Sequence, residues 1–516
     1  MSANLDLLMF AALMAAILLG FPVAFSIAGV AIAFAYLGWA LGAMDISLLG
    51  ATSQRIFGLL SNSVLIAIPL FVLMGAVLEK SRIAEDLLDT MGKLFGQLRG
   101  GLGISVVLVG ALLAASTGIV GATVVAMGLI ALPTMLRAGY DPKVASGIVC
   151  TAGTLGQIIP PSTLLIILAD VMSNAFQQAQ YEQGKFAVEA LSVGQFFAAA
   201  MLPGLILVTL YLLYILVLGV VKPQSMPPAS LELARPSGKQ VMLAIVPPTL
   251  LIVAVLGAIL GGVATPTEAA SVGAIGAVLI AGARMGPDPR IIIIGAVALV
   301  ILGVTAGVFP VRLQRDDLSA GSWVLGGCYI VLAFIGALAI AYALRALQVK
   351  QVIAPALTST MTMTSMIFAT ILAAGIFSLV FVGLGGEERV ASILTSMPGG
   401  AAGALIFCLA FVFVLGFFLD FVEISVILLP LIVPPLILMG HDPIWLGILL
   451  AINLQTSFLT PPFGFSLFYL RGAAPPEVST GQIYAGVVPF IFLQFVGISI
   501  VWLVPGLSTW LPDWLF

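Results

Sequence analysis

The sequence predicts an all-α membrane protein built as an inverted-topology repeat, with two re-entrant helical hairpins and two broken helices. Three observations predict it. First, 61% of the 516 residues are hydrophobic and 8% are charged, where a soluble protein carries roughly 25% charged residues. Such a chain lacks the polar surface to dissolve. Second, the chain repeats itself in register 301 residues apart. LPTMLRAGYDP around Pro133 returns as VPPLILMGHDP around Pro434. Pro133, Gly139, Asp141, Pro142, Pro160 and Pro161 recur at Pro434, Gly440, Asp442, Pro443, Pro461 and Pro462. Third, a proline pair interrupts an apolar, helix-like stretch in both copies, GTLGQIIPPSTLLIIL and NLQTSFLTPPFGFSLF. Broken apolar segments at matching places in two halves point to the binding site of a secondary transporter.

A membrane helix needs roughly 20 apolar residues at about 1.5 Å each. On that measure spans fall at 5–20, 22–41, 63–79, 143–178, 193–221, 241–261, 267–283, 291–310, 321–343, 352–382, 443–471 and 482–504. The first begins at Leu5 with no basic segment before it, and reads as a span rather than a cleaved signal. Amphipathic stretches at 79–100 and 385–400 suit helices lying at the membrane surface, as arms around a moving part. Each arm leads into a region that is not a simple span. Between Gly100 and Arg137 two apolar pieces meet at Ser116-Thr117-Gly118; between Gly399 and Gly440 the junction is Phe417-Phe418-Leu419-Asp420. Pieces of about 15 residues reach about 22 Å, short of a roughly 30 Å hydrocarbon core. Each region therefore reads as a hairpin whose tip stops inside the membrane, against protein or a watery cavity. The proline-rich linker 221–239 divides the halves.

Charge supports inversion. The first arm and the loop after the first hairpin carry Lys80, Arg82, Lys93, Arg99, Arg137 and Lys143, while the matching places of the second half carry only Arg389. By the positive-inside rule the first hairpin enters from the cytoplasm and the second from outside. Counting spans then puts both termini outside. Arg312 and Arg315 run against the pattern, offset by Asp316 and Asp317.

The breaks suggest the chemistry. Proline has no N–H and clashes with the carbonyl one turn back, so a pair frees several carbonyls at membrane depth. With nearby hydroxyls these make a hard oxygen cage suited to Na⁺. The half-helix after each pair aims its positive end at the same spot, which suits a carboxylate. The first cation site is expected at Ser116, Thr117, Gly118, Gly153, Gly156 and Pro160. The second is expected at Asp420, Asn453, Thr456 and Thr460. Thr154, Ser162 and Ser457 are candidates for touching the substrate. A hydroxyl in a membrane helix also commonly bonds back to its own turn. Asp420 stands out because an ionisable group at depth is costly, although it can also cap the helix that follows, with Glu423 one turn on. Asp170 reads as lying near a helix end and Glu268 as a helix-start carboxylate. His441, the one histidine, sits in a loop where catalysis is not expected. The run TSTMTMTSM (358–366) reads as packing. Net charge −3 argues against a nucleic-acid footprint, and no GxxxxGK[ST] loop is present for ATP hydrolysis.

IPLFVLMG (68–75), STGIVGATVVAMGLIALP (116–133), GYDP (139–142), GTLGQIIPPS (153–162), ATPTEAA (264–270), the LD of LGFFLD (415–420) and NLQTSFLTPPFGFSLF (453–468) resemble the large membrane subunit of tripartite ATP-independent periplasmic (TRAP) transporters, the DctM family. The additional spans at 291–343 and the polar insert 173–192 are similar to the longer subgroup, often labelled for mannitol or chloroaromatic compounds. The resemblance implies a Na⁺-driven importer of the bacterial inner membrane, working as an elevator. Its parts are scaffold helices and the first arm (1–99), a first transport repeat (100–178), further scaffold and the second arm (179–398), a second transport repeat (399–474) and a C-terminal helix (475–516). It also implies two partners: a four-helix small membrane subunit and a periplasmic protein that delivers a small organic acid. The anion site favours a carboxylate, such as a 2-oxo acid. LDFVE at the second hairpin replaces the family's more usual LDPTA-like run. A stand-alone Na⁺- or H⁺-coupled carboxylate symporter is the alternative. A passive channel and an intramembrane enzyme are further readings, the latter lacking any convergent nucleophile and base.

Overall fold

The computed structural model describes residues 4–117, 120–228, 236–311 and 320–516. Each apolar run read from the sequence is helical there. Those expected at 5–20, 193–221 and 482–504, for example, are the helices Leu5–Leu18, Val193–Val221 and Thr480–Leu503. Among the described residues nine helices are long and apolar enough to cross a membrane, and no strand occurs. Two short helices carried no apolar-run signal, Thr52–Leu60 and Gly506–Leu515. The polar insert continues the helix Thr163–Glu182 and then returns. Gln180 donates to the Glu189 carbonyl and accepts from the Glu189 amide, both at 3.0 Å. Gly118, Arg235, Arg312, Arg315, Asp316 and Asp317 lie outside the described residues.

The repeated G-x-D-P motif makes the same joint in both halves. Gly139 and Gly440 take φ of +86° and +96°, a left-handed turn that glycine adopts without a Cβ penalty. The next amides, of Tyr140 and His441, bond back to Met135 and Leu436. Asp141 and Asp442 then cap the next helix, accepting from the Lys143 and Trp445 amides at 2.9 and 2.8 Å. Pro142 and Pro443 follow as the first helical residues, where the missing N–H costs nothing.

Each joint ends a hairpin. The first pairs Gly101–Thr117 with Val120–Arg137, of 17 and 18 residues. Both legs exceed the 15 or so expected and reach about 26 Å. Folding back, rather than shortness, is what defines the hairpin. Leu102, Ser105 and Val106 wall one cavity together with Ile130, Thr134 and Met135, so the bases of the legs lie side by side. In the second hairpin Gly400–Leu415 turns at 416–420 into Phe421–Ile427 and Leu429–Leu438, which meet at 56°. Pro430 lies just past that bend and cannot donate to the preceding turn. His441 Nε2 sits 3.0 Å from the Ala401 carbonyl oxygen and ties the hairpin base to the joint.

The broken helices are Pro142–Thr154 with Thr163–Glu182, and Pro443–Leu459 with Phe465–Ala473. Both proline pairs are joined by cis peptide bonds. Gln455 donates to Thr154 Oγ1 at 3.4 Å across 301 residues. These are equivalent positions of the two copies, so the axis relating the repeats passes between them. Each broken helix packs against the long helix that follows the other. Phe196 of Val193–Val221 lies over Gly447, and Gly147 faces Gly486 of Thr480–Leu503 so closely that a Cβ on either would overlap backbone of the opposite helix. Small residues allow such backbone approach in membranes.

The arms are the helices Ile83–Phe95 and Gly386–Thr395. The first buries Ile83, Ala84, Leu87 and Leu88 and ion-pairs Asp86 with Arg284. The second pairs Arg389 with buried Asp6 of the first helix, and its Glu387 accepts from Gln178. Glu268 closes a capping box with Thr265, as a helix-start carboxylate should. Asp170, expected near a helix end, instead lies about two turns inside Thr163–Glu182 and accepts from Asn62 at 2.9 Å.

Gly147→Val places a branched side chain into the Gly147–Gly486 crossing. It should destabilise the protein by about 1–3 kcal/mol, read as a lower melting temperature in detergent. A wild-type melting temperature would show that the two helices do not cross there.

Candidate functional site

The tips of both hairpins meet at one cavity of about 220 Å³. Val120, Gly121 and Ala122, the first turn of the second leg of hairpin one, form one wall. Asp420 and Phe421 bring the tip of hairpin two. Phe458, Phe465 and Tyr469 flank the second break, and Met363 and Met366 close the cavity from the long helix Ile353–Gly383. The Thr/Met run read as packing therefore supplies a wall. Tyr469, Phe421 and both methionines were not foreseen as site residues. A cluster of threonines in a membrane helix was the one available signal, and periodicity alone does not tell a packing face from a cavity face.

Asp420 does two things at once. Its carboxylate accepts from the Phe421 amide at 2.7 Å, and its own amide donates to Glu423 Oε2 at 2.9 Å. This capping box starts the second leg of the hairpin. The carboxylate also borders the cavity. Glu423 itself is buried.

Three of the four ligands expected at the second site, Asn453, Thr456 and Thr460, lie along the last turns of Pro443–Leu459 and its cap, while Asp420 comes from the hairpin tip. Asn453 donates to the Leu409 carbonyl of hairpin two at 2.8 Å. Thr456, Ser457 and Thr460 donate to the carbonyls of Ile452, Leu454 and Thr456 at 2.7 to 2.8 Å. Each hydroxyl bonds back to its own helix and keeps only oxygen lone pairs for a further partner, which is what a cation requires. Gly416 at the hairpin tip packs so tightly on Ser457 that a Cβ would overlap its hydroxyl. Two hydroxyls also take up freed carbonyls. Ser162 donates to Gln157 across the first break at 2.8 Å, and Ser466 donates to Phe458 across the second at 2.7 Å.

Around the first break, Ser116 and Thr117 end the first leg of hairpin one, and Gly118 lies outside the described residues. Gly153 packs on Val124 of the second leg, where a Cβ would overlap the valine side chain. Gly156 and Pro160 sit on the broken segment between the half-helices, with Gly156 buried in a 3₁₀ turn. None of the three residues expected to touch substrate lines the cavity. Ser162 is buried and caps Thr163–Glu182. Thr154 donates to Thr151 at 2.8 Å and accepts from Gln455. Ser457 faces the hairpin tip. Thr151 Oγ1, both amide atoms of Gln157 and Gln455 Oε1 are buried with no protein partner. Such groups at depth are ordinarily satisfied by water or an ion.

Thr154→Val keeps the shape and removes the acceptor for Gln455, leaving a second buried amide end unpaired. We expect a loss of about 1–3 kcal/mol by chemical unfolding in detergent. An unchanged midpoint would mean that the two repeats do not bond at this position.

Comparison with known proteins bears on what such a site serves. The family model "Tripartite ATP-independent periplasmic transporter, DctM component" matches residues 10–309 and 299–507. The two matches meet inside the helix Pro289–Val308. The C4-dicarboxylate TRAP transporter large permease protein DctM of Vibrio cholerae is 28% identical over 98% of this chain and 97% of its own. The ectoine TRAP transporter large permease protein TeaC of Halomonas elongata is 24% identical over 99% of both. In fold, the chain is similar to the crystal structure of the YdaH transporter of Alcanivorax borkumensis, with TM-score 0.53 and 15% identity over 90% of this chain and 87% of that one. The chain belongs to the DctM family of TRAP transporter large permeases, and is a multi-pass inner-membrane transporter subunit rather than an enzyme.

Proposed function

We propose that this chain carries a small organic acid, a carboxylate such as a 2-oxo acid, into the cell in symport with Na⁺. A periplasmic binding protein delivers the acid, and a four-helix small membrane subunit extends the scaffold. The observation that carries the proposal is the meeting of two hairpin tips, a helix break and a scaffold helix at one cavity. Residues 100–178 and 399–474 are the transport domain, which moves as an elevator against the rest while both termini stay in the periplasm. The arms suit this role because each is anchored to the scaffold by an ion pair, Asp86–Arg284 and Asp6–Arg389. One Na⁺ binds through Ser116, Thr117, Gly118, Gly153, Gly156 and Pro160. The other binds through Asp420, Asn453, Thr456 and Thr460. The acid occupies the cavity between them, with its carboxylate toward the first described turn of Val120–Arg137.

The test is uptake of labelled organic acids into proteoliposomes holding both membrane subunits, with the binding protein outside and an inward Na⁺ gradient. Uptake should require the gradient and the binding protein. Uptake without the binding protein would replace this proposal with a stand-alone symporter. Asp420→Asn should reduce Na⁺-driven uptake at least tenfold, and a wild-type rate would remove Asp420 from the ion site. Replacing Pro160 and Pro161 by alanine should restore helix hydrogen bonding across the break and weaken Na⁺ dependence. An unchanged half-saturating Na⁺ concentration would contradict the oxygen cage.

A further inference from the structure

A second cavity lies between the first arm and the base of hairpin one, and shares no lining residue with the site cavity. Its floor is apolar: Leu88 of the arm, Leu102 and Val106 of the first leg, Ile130 and Met135 of the second. Its rim is charged, with Glu85, Asp86, Asp89 and Lys93 of the arm on one side and Arg137 on the other. Ser105 fastens the two sides, donating to the Met91 carbonyl at 2.8 Å. From a tip at membrane depth, a leg of about 26 Å carries its base to the level of the lipid headgroups. The arm fits that level, burying Leu87 and Leu88 while Leu94 stays exposed. The rim charges are not evenly matched. Glu85 pairs with Arg82, Asp86 with Arg284 and Asp89 with Lys93. Arg137 has no ion pair among the described residues. Its exposed side chain donates to the Pro133 carbonyl and to Thr134 Oγ1, both at 3.4 Å, which leaves most of the guanidinium donors for another partner. The Arg82–Glu85 pair is a loose 3.9 Å between exposed side chains, so Glu85 can accept again. Asp89 stands one turn along the same helix face.

We infer that this cavity seats a glycerophospholipid with an ethanolamine headgroup. The lipid phosphate pairs with Arg137, whose planar fork of donors suits it. The ammonium donates to Glu85 and Asp89 across the rim. An acyl chain starts along the apolar floor, which a free anion would leave uncovered. The headgroup matters because the arm presents carboxylates. Phosphatidylglycerol brings a phosphate without the ammonium that those carboxylates attract, and a choline headgroup has no N–H to donate.

The test is native mass spectrometry of the full chain in detergent, titrated in turn with dioleoyl phosphatidylethanolamine, phosphatidylglycerol and phosphatidylcholine. The ethanolamine lipid should bind at least fivefold tighter than either of the others. Glycerophosphoethanolamine, the same headgroup without acyl chains, should not displace it at equal concentration. Arg137→Gln should weaken the ethanolamine lipid at least fivefold, while Arg137→Lys keeps the charge and recovers part of the loss. Glu85→Gln combined with Asp89→Asn should bring the ethanolamine and glycerol lipids within twofold of each other. A wild-type melting temperature in detergent checks the fold of each variant, and the lipid comparison on the wild-type chain needs no variant at all. Equal binding of the three lipids, displacement by the headgroup alone, or wild-type affinity in Arg137→Gln would overturn the inference. No Na⁺, substrate or binding protein enters the assay, so the transport reading stands or falls independently.

Discussion

A backbone amide or carbonyl inside a membrane has no bulk water to bond, so every break in a helix must be answered by something built beside it. Two proline pairs impose that constraint here, and much of the interior serves it. Ser162 and Ser466 reach across the breaks to the Gln157 and Phe458 carbonyls. Hairpin legs pack along the broken helices at Gly153 and Gly416, where only glycine leaves room. The breaks create the polar backbone, and the hairpins keep lipid away from it. The cavity forms where that protection stops.

The repeat turns one local solution into a symmetric one. The glycine, aspartate and proline of each joint form a helix stop, a cap and a helix start within four residues, and the cap recurs in both halves, on the second amide after Asp141 and the third after Asp442. Symmetry is not complete at the centre. Thr154 meets Gln455, so a hydroxyl faces an amide where the copies touch. Ser162 corresponds to Phe463, which makes the second break less polar than the first. Among the described residues the carboxylate that borders the cavity is Asp420 of the second hairpin, whose amide donates to Glu423.

The helices, the broken segments and the hairpins were legible in the sequence because each rests on local rules, apolar length and proline without an N–H; the joints showed only as a repeated G-x-D-P motif. Asp420 was legible because a carboxylate is conspicuous among apolar residues. The lengths of the first hairpin's legs were misjudged because apolar length does not mark where a helix turns back. Asp170 was misplaced because its partner, Asn62, is 108 residues away. The cavity wall from Met363 and Met366 depends on how the scaffold helix rotates against the hairpins, which only tertiary packing decides. The same holds for Ser162 and Thr154. Their hydroxyls could have faced a ligand, and instead one caps a helix and the other bonds across the repeat.

The central claim is that hairpins and broken helices form one body that moves against the helix Ile353–Gly383. The most direct measurement is a pair of spin-label distances in a background lacking Cys150, Cys328 and Cys408. Leu129 on hairpin one and Phe468 after the second break report within the body, while Phe468 and Met361 report across to the scaffold; all three positions are exposed. With Na⁺ and substrate against neither, the Leu129–Phe468 distance should stay fixed while the Phe468–Met361 distribution shifts. A shift in the first pair, or none in the second, would contradict the account.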